Sequence, residues 1–283
     1  MPSFLNLGCG ANYSIDPCWT NVDFSSASAD VLAHDLSTGI PFDDDTFDAV
    51  YHSHVLEHFS KRDAPDFIGE CLRVLKPGGV LRVVVPDLED ISKTYLNLLE
   101  GSLSNNHGAQ EKYEWIVVEM IDQLVRHESG GEMARYFEGG EYSQKDFVLG
   151  RIGAIGKSLD KNAGDPNVNK QQFRRLYSSS GWRRLMRVVV NQTRWSAAGL
   201  FLSGRERKAL KAGLFRLSGE VHQWMYDRHS LGFLLSDAGF LHARKVSALD
   251  SSIADWPRFC LDVDSEGSEH APASLYMEAI KRA

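Results

Sequence analysis

Short apolar segments separated by turn-forming residues dominate the first third of the chain. Phe4–Leu7, Thr20–Val22, Asp30–Ala33, Ala49–His52 and Val80–Val85 each read as a brief strand. The last is an unbroken apolar run, the pattern of a strand buried on both faces of a parallel sheet. Between the final two, Ala64–Leu75 places Phe67, Ile68, Cys71, Leu72 and Leu75 on one face at helical spacing, and Pro77-Gly78-Gly79 stops that helix. Strand and helix alternating in this way predict βαβ units and an α/β fold.

The pattern changes after residue 87. Ile91–Leu99 and Tyr113–Val125 are helical by period, with Gly, Ser and Asn clusters between the periodic segments. Residues 88–220 therefore read as a mainly helical insertion, serving as a substrate platform, a lid or an oligomerisation arm. It interrupts one α/β domain made of residues 1–87 and 221–283. In the second part, Leu231–Ala238 reads as a helix ended by Gly239, and Phe240–Val246 and Phe259–Val263 as strands. Asp264–His270 reads as a polar loop and Pro272–Lys281 as a terminal helix.

Composition narrows the function. The 283 residues are 43% apolar and 24% charged, ordinary for a chain that buries a core, and the formal net charge of −7 argues against a general nucleic-acid binder. Cys9, Cys18, Cys71 and Cys260 show no CxxC spacing, so neither a zinc site nor a disulfide framework is expected. The apolar runs fall short of the roughly 20 residues that span a bilayer. With no leader pattern at the start, the expected location is cytoplasmic.

Candidate chemistry begins at the first strand. Asn6-Leu7-Gly8-Cys9-Gly10 puts glycines directly after it, where a Cβ would keep the backbone away from a ligand. The third glycine of a dinucleotide fingerprint is missing, and a tight turn is the plain alternative. Asp23 ends the second strand, where a carboxylate accepts both hydroxyls of a ribose, and Phe24 beside it suits an adenine face. Asp35, after the third strand, can accept from an adenine amine or simply cap a turn.

In this order the motifs resemble a known family. Leu5 to Gly10, Asp23, Pro41-Phe42 with Phe47-Asp48, Ser53-His54-Val55-Leu56-Glu57-His58 and Leu72 to Gly79 are similar to class I S-adenosylmethionine-dependent methyltransferases of the type 11 branch. Val84 to Leu88 and Leu234 to Phe240 are similar to it as well. The resemblance implies a Rossmann-like, mostly parallel sheet carrying a large helical insertion, with S-adenosylmethionine as cofactor and S-adenosylhomocysteine as product. It implies cofactor contacts from Gly8, Cys9, Gly10, Asp23, Phe24, Asp35, Leu36, Ser53 and His54. Many members carry Asp or Glu where Asn6 stands, a departure at the methionine amine. Chains that look like this one often modify sugars of bacterial surface polysaccharides, which implies a saccharide hydroxyl as acceptor.

Such an acceptor calls for a base, and histidine is the natural one near neutral pH. His54 and His58 stand four apart and would share a face of a helix. His222, in Val221-His222-Gln223-Trp224-Met225-Tyr226, is the first choice, with packing as its plain alternative. A histidine pair can also suggest a metal, but no third ligand is evident from spacing, so none is expected.

The insertion holds one further signal. Lys170, Arg174, Arg175, Arg183, Arg184, Arg187, Arg194, Arg205, Arg207, Lys208, Lys211 and Arg216 face a single acid, Glu206, and Trp182, Leu185, Met186, Val189 and Trp195 interleave with them. This segment suits a phosphorylated or lipid-linked saccharide and peripheral contact with the inner face of a membrane. The plain alternative, slightly favoured, is a solvated face, or a face paired with acids elsewhere in the chain or in a second copy in a homodimer. Three alternatives stay open: a methyltransferase of small natural products, a nicotinamide-dependent oxidoreductase, and a non-catalytic adaptor of the same fold.

Overall fold

A computed structural model describes residues 2–26, 28–104, 106–137, 144–160 and 202–283. Seven strands form one sheet: β1 (Phe4–Leu7), β2 (Trp19–Asp23), β3 (Val31–Ala33), β4 (Phe47–Ser53), β5 (Leu75–Pro86), β6 (Phe240–Val246) and β7 (Ser274–Lys281). Their order is β3-β2-β1-β4-β5-β7-β6. The first five run parallel, and β7 lies antiparallel between β5 and β6. This is the Rossmann-like sheet that the class I resemblance implies. The chain reverses its direction of travel across the sheet between β1 and β4, the switch point where a crevice opens at the carboxyl ends of the strands.

Alternation along each strand feeds two cores. Leu5, Leu7, Val50, Val83, Val85 and Met277 face one side, where they meet Phe67, Ile68 and Cys71 of α1 (Ala64–Val74) and Leu231 and Leu235 of α7 (Arg228–Asp237). Phe4, Ala49, Tyr51, Val84 and Tyr276 face the other side and meet Trp256, Phe259, Leu261 and Val263. Irregular chain and a short 3-10 turn, Trp256–Phe259, cover this second face.

Every described element between β5 and residue 216 is helical: α2 (Leu88–Leu103), α3 (His107–Val125), α4 (Gly131–Tyr136), α5 (Lys145–Asp160) and α6 (Gly204–Arg216). Trp115, Met133, Phe137 and Val148 make a small core of their own among these helices. Asp87 caps α2 by accepting from the amides of Glu89 and Asp90. Of the basic segment, Lys170, Arg174, Arg175, Arg183, Arg184, Arg187 and Arg194, with the apolar residues between them, lie outside the described residues. Among the described residues no helix is long and apolar enough to cross a membrane.

Two expectations are corrected. Pro272–Lys281 is not a helix: β7 occupies Ser274–Lys281 and pairs along its length with β5. Its residues from Leu275 to Ala279 are all buried, because both faces of a central strand are covered, and a short apolar run carries no period that separates strand from helix. Glu278 disguises the run by interrupting it with a charge. Phe259–Val263 is not a strand either. Cys260 takes a left-handed conformation (φ 51°), which breaks the extended path, and Leu261 and Val263 are buried by packing against the sheet face.

The charge within β7 is met by Arg82 of β5, itself fully buried. Arg82 donates through Nε to Asp262 (2.7 Å) and through NH1 to Glu278 (2.8 Å), and Tyr51 donates to Asp262 (2.7 Å). One guanidinium thus joins β4, β5, β7 and the loop that covers them. Breaking a buried pair leaves uncompensated charge, so Arg82→Met is expected to cost about 3–5 kcal/mol. Urea denaturation measures this, and a loss below about 1 kcal/mol would mean that the network contributes little to stability.

Candidate functional site

The turn after β1 is shaped by its glycines. Gly8 and Gly10 both adopt positive φ (62° and 54°), where a side chain is strained. A Cβ on Gly8 would stand 2.3 Å from Cγ2 of Val55, so the turn leans directly on the chain that follows β4. Among the described residues no atom lies within 4 Å of a Cβ built on Gly10, which borders open cleft. Asp23, at the end of β2, accepts from the Gly10 amide through Oδ2 (2.8 Å) and from the Ser25 amide through Oδ1 (3.2 Å). It therefore holds the turn as well as facing the cleft.

Asp35 performs the capping role that its residue type allows. Its Oδ1 accepts from the amide and hydroxyl of Ser37 at the start of a 3-10 turn, Leu36–Thr38. The Phe24 ring is half exposed beside Asp23. Asn6 is buried, and its amide donates to Asn12 O and Asn21 Oδ1, both at 3.3 Å. A carboxylate has no proton for these bonds, which gives Asn6 a physical reason for replacing the acid that many similar chains carry.

One large cleft, about 1480 Å³, is lined by all nine residues expected at the cofactor: Gly8, Cys9, Gly10, Asp23, Phe24, Asp35, Leu36, Ser53 and His54. His58 and His222 line it too. A glycine turn open to the cleft, an acceptor carboxylate at the second strand and an exposed ring next to it fit an adenosyl group.

The histidines are arranged differently from a shared helical face. His54 follows β4 in a left-handed conformation (φ 55°), outside the 3-10 turn Leu56–His58, so it and His58 do not lie on one helix. Backbone position is fixed by the His54 amide, which donates to Val84 O (2.9 Å). Its Nδ1 lies 3.0 Å from Glu57 Oε1, and its Nε2 lies 3.1 Å from Ser274 Oγ. The ring sits deep in the cleft with protein on most sides, yet 39% of its side-chain surface stays open to solvent. Enclosure lowers its pKa, but the Glu57 carboxylate, with Asp262 behind it, more than offsets this and leaves it above the usual histidine value.

Glu57 carries the opposite balance. It is completely buried, which raises a carboxyl pKa, yet His54, His222 and His58 pull it down to about 2. Sequence reading passed over this residue; the one available signal was an acid flanked by histidines in His54-Val55-Leu56-Glu57-His58. His222, the first choice for a base, is 4% exposed, and burial lowers its pKa to about 3 despite Glu57 nearby. At that value the imidazole is neutral and a weak base. The amide of His222 donates to Gln123 O (3.0 Å), and those of Gln223 and Trp224 donate to Glu57 O (2.7 and 3.3 Å).

Residues 5–83 match the sequence family described as "Methyltransferase domain". No curated protein matches the chain. Among solved structures, the chain is similar over its whole length, and over 83% of theirs, to two proteins at 12% identity and a TM-score of 0.39. They are the Haloferax volcanii partner of the Trm112 methyltransferase activator and a Thermotoga maritima S-adenosylmethionine-dependent methyltransferase. An Aquifex aeolicus S-adenosylmethionine-dependent methyltransferase is 19% identical over 29% of this chain and 55% of its own, at a TM-score of 0.25. Likeness at this level carries nothing about substrate. The matched residues run from β1 into β5, so the family match falls on the part of the sheet whose strand ends border the cleft.

Asp23→Ala removes the carboxylate that is expected to face the ribose of a bound cofactor. With charge-assisted hydrogen bonds contributing about 1.5–3 kcal/mol each, S-adenosylhomocysteine affinity is expected to fall roughly a hundredfold by calorimetry. Retention of wild-type affinity would remove Asp23 from the site.

Proposed function

We propose that this chain is an S-adenosylmethionine-dependent methyltransferase acting on a hydroxyl group of a saccharide, and that His54 accepts the hydroxyl proton. Bound S-adenosylmethionine supplies a methyl group already activated by its sulfonium, so the protein's tasks are positioning, exclusion of water and proton removal. The observation that carries the reading is His54 itself: an imidazole open to the cleft, held in a strained backbone conformation beside a buried carboxylate. With Nδ1 turned toward Glu57, Nε2 is the nitrogen left to take a proton, and it already stands at hydrogen-bond distance from the Ser274 hydroxyl. His222 and His58 serve this role less well, since the first is buried and the second turns Nδ1 to Val221 O (3.4 Å).

Cleft size and lining support the acceptor class. At about 1480 Å³ the cleft exceeds the roughly 300–1,000 Å³ of a single small-molecule site, leaving room for cofactor and acceptor together. Beyond the residues expected at the cofactor, Glu119, Gln123, Arg151, Arg216, Glu220 and Gln223 line it among apolar neighbours such as Met120, Leu124 and Ile152, and these polar groups suit a hydroxyl-bearing molecule. Arg216 comes from the basic segment and supports a phosphorylated or lipid-linked saccharide.

Incubation with the methyl donor and a panel of free, nucleotide-linked and lipid-linked sugars, read by mass spectrometry, tests the acceptor. A methyl-sized gain on a saccharide is expected, and activity confined to small aromatic acceptors would overturn the saccharide assignment. His54→Ala is expected to lower kcat about 10²- to 10⁴-fold, the usual contribution of a general base, while S-adenosylhomocysteine affinity changes only a few fold. An unchanged kcat would remove His54 from that role.

A further inference from the structure

Glu57 presents a physical problem that the methyl-transfer reading leaves unsolved. Its carboxylate is 0% exposed, and among the described residues neither oxygen has a hydrogen-bond partner. His54 Nδ1 is at ion-pair distance from Oε1 without meeting hydrogen-bond geometry, and His222 Nε2 is 3.9 Å from the same oxygen. The nearby Tyr226 hydroxyl is also buried without a partner among the described residues. His54 meets this buried anion from one side only, and a carboxylate without hydrogen bonds is stabilised further by a cation among its other neighbours. Arg126, whose charge also reaches His222, is paired with Asp122 (3.1 Å) and Glu220 (3.3 Å).

Around this carboxylate the donors converge. One ligand atom from each of Glu57, His58 and His222 lies within 4.8 Å of the others. The two imidazole rings meet edge to face, with centroids 4.9 Å apart. His58 Nδ1 faces the Val221 carbonyl (3.4 Å), which leaves Nε2 as its ligand atom. A ring nitrogen tied to a backbone carbonyl is the support that metal-binding histidines ordinarily have. Spacing in the sequence offered no third ligand for a histidine pair; folding brings Glu57 and His222 to His58.

We propose that Glu57, His58 and His222 form a binding site for one divalent transition-metal ion in the wall of the cleft. Two imidazoles and a carboxylate, without thiolate, suit zinc, manganese, iron, cobalt or nickel better than magnesium or calcium. Bonds of about 2.0–2.2 Å require the donor atoms to close by roughly an ångström, a side-chain adjustment. His58 and His222 both line the cleft, so an ion held there would border it. There a metal-bound acceptor hydroxyl would lose its proton more readily, with His54 alongside to take it. Metal binding stands on the donor cluster alone; the role toward the acceptor rests on the hydroxyl-methylation reading.

Chelator-stripped protein titrated with zinc and with manganese chloride by calorimetry, with metal content by mass spectrometry, tests the site. One ion per chain is expected at micromolar affinity or tighter. Glu57→Gln and His222→Ala should each weaken binding at least a hundredfold, with S-adenosylhomocysteine affinity serving as the check on folding. His58→Ala, at a half-buried position, replaces either variant that fails to fold. Cobalt substitution gives an independent readout, an absorption band in the visible that Glu57→Gln should abolish. Asp23→Ala should keep the metal while losing the cofactor, so failure of the methyltransferase site and failure of the metal site are told apart. Absence of zinc and manganese binding, preference for magnesium alone, or undiminished affinity in Glu57→Gln and His222→Ala would each overturn the proposal.

Discussion

Everything at the working end of this molecule is arranged around one buried negative charge, that of Glu57. Its backbone carbonyl accepts the amides of Gln223 and Trp224, so the chain returning from the helical insertion is fastened to the turn that follows β4. The same fastening delivers His222 to the carboxylate from one side, while His54 and His58 reach it from their own turn. A charge without solvent must be met by polarity of the opposite sign, and imidazoles supply it here. Moving Glu57 would therefore disturb three histidines and the joint between the two parts of the α/β domain together.

The second constraint is steric and lies across the switch point of the sheet. Strands β1, β2 and β3 spread to one side and β4, β5, β7 and β6 to the other, so the turns after β1 and β4 face each other over the crevice. Gly8 rests against Val55, with no room for a Cβ between them. That contact sets the separation between the glycine turn, which fits the cofactor, and the histidine turn, which carries the proposed base. The insertion completes the far wall. It brings Glu119, Gln123 and Arg151 to the cleft, and Gly153, at positive φ, lies so close to the His270 carbonyl that a Cβ would stand 2.4 Å from that oxygen.

How much of this could be read beforehand depended on whether the signal was local. The five parallel strands, the helix over residues 64–74 and the glycine turn were legible because periodicity, helix stops and glycines act within a few residues. That the nine residues expected at the cofactor line one cleft has a related reason: they sit at the carboxyl ends of successive strands, and a parallel sheet gathers those ends at one edge. His54 and His58 show the limit. Four residues of spacing promise a shared face only on a helix, and a left-handed residue at His54 removes the premise.

By itself, then, the sequence determined the α/β class, the position of the crevice and a set of residues that line it, since these follow from short-range pattern and sheet geometry. Tertiary structure decided the rest. Residues 274–281 become a strand because both sheet faces around them are filled and Arg82 neutralises Glu278, facts held in distant parts of the chain. Glu57 gains meaning from residues such as Val221 and His222, and the contact from His58 to Val221 spans 163 positions. No local pattern encodes a meeting across that distance, because it is produced by the closing of the fold.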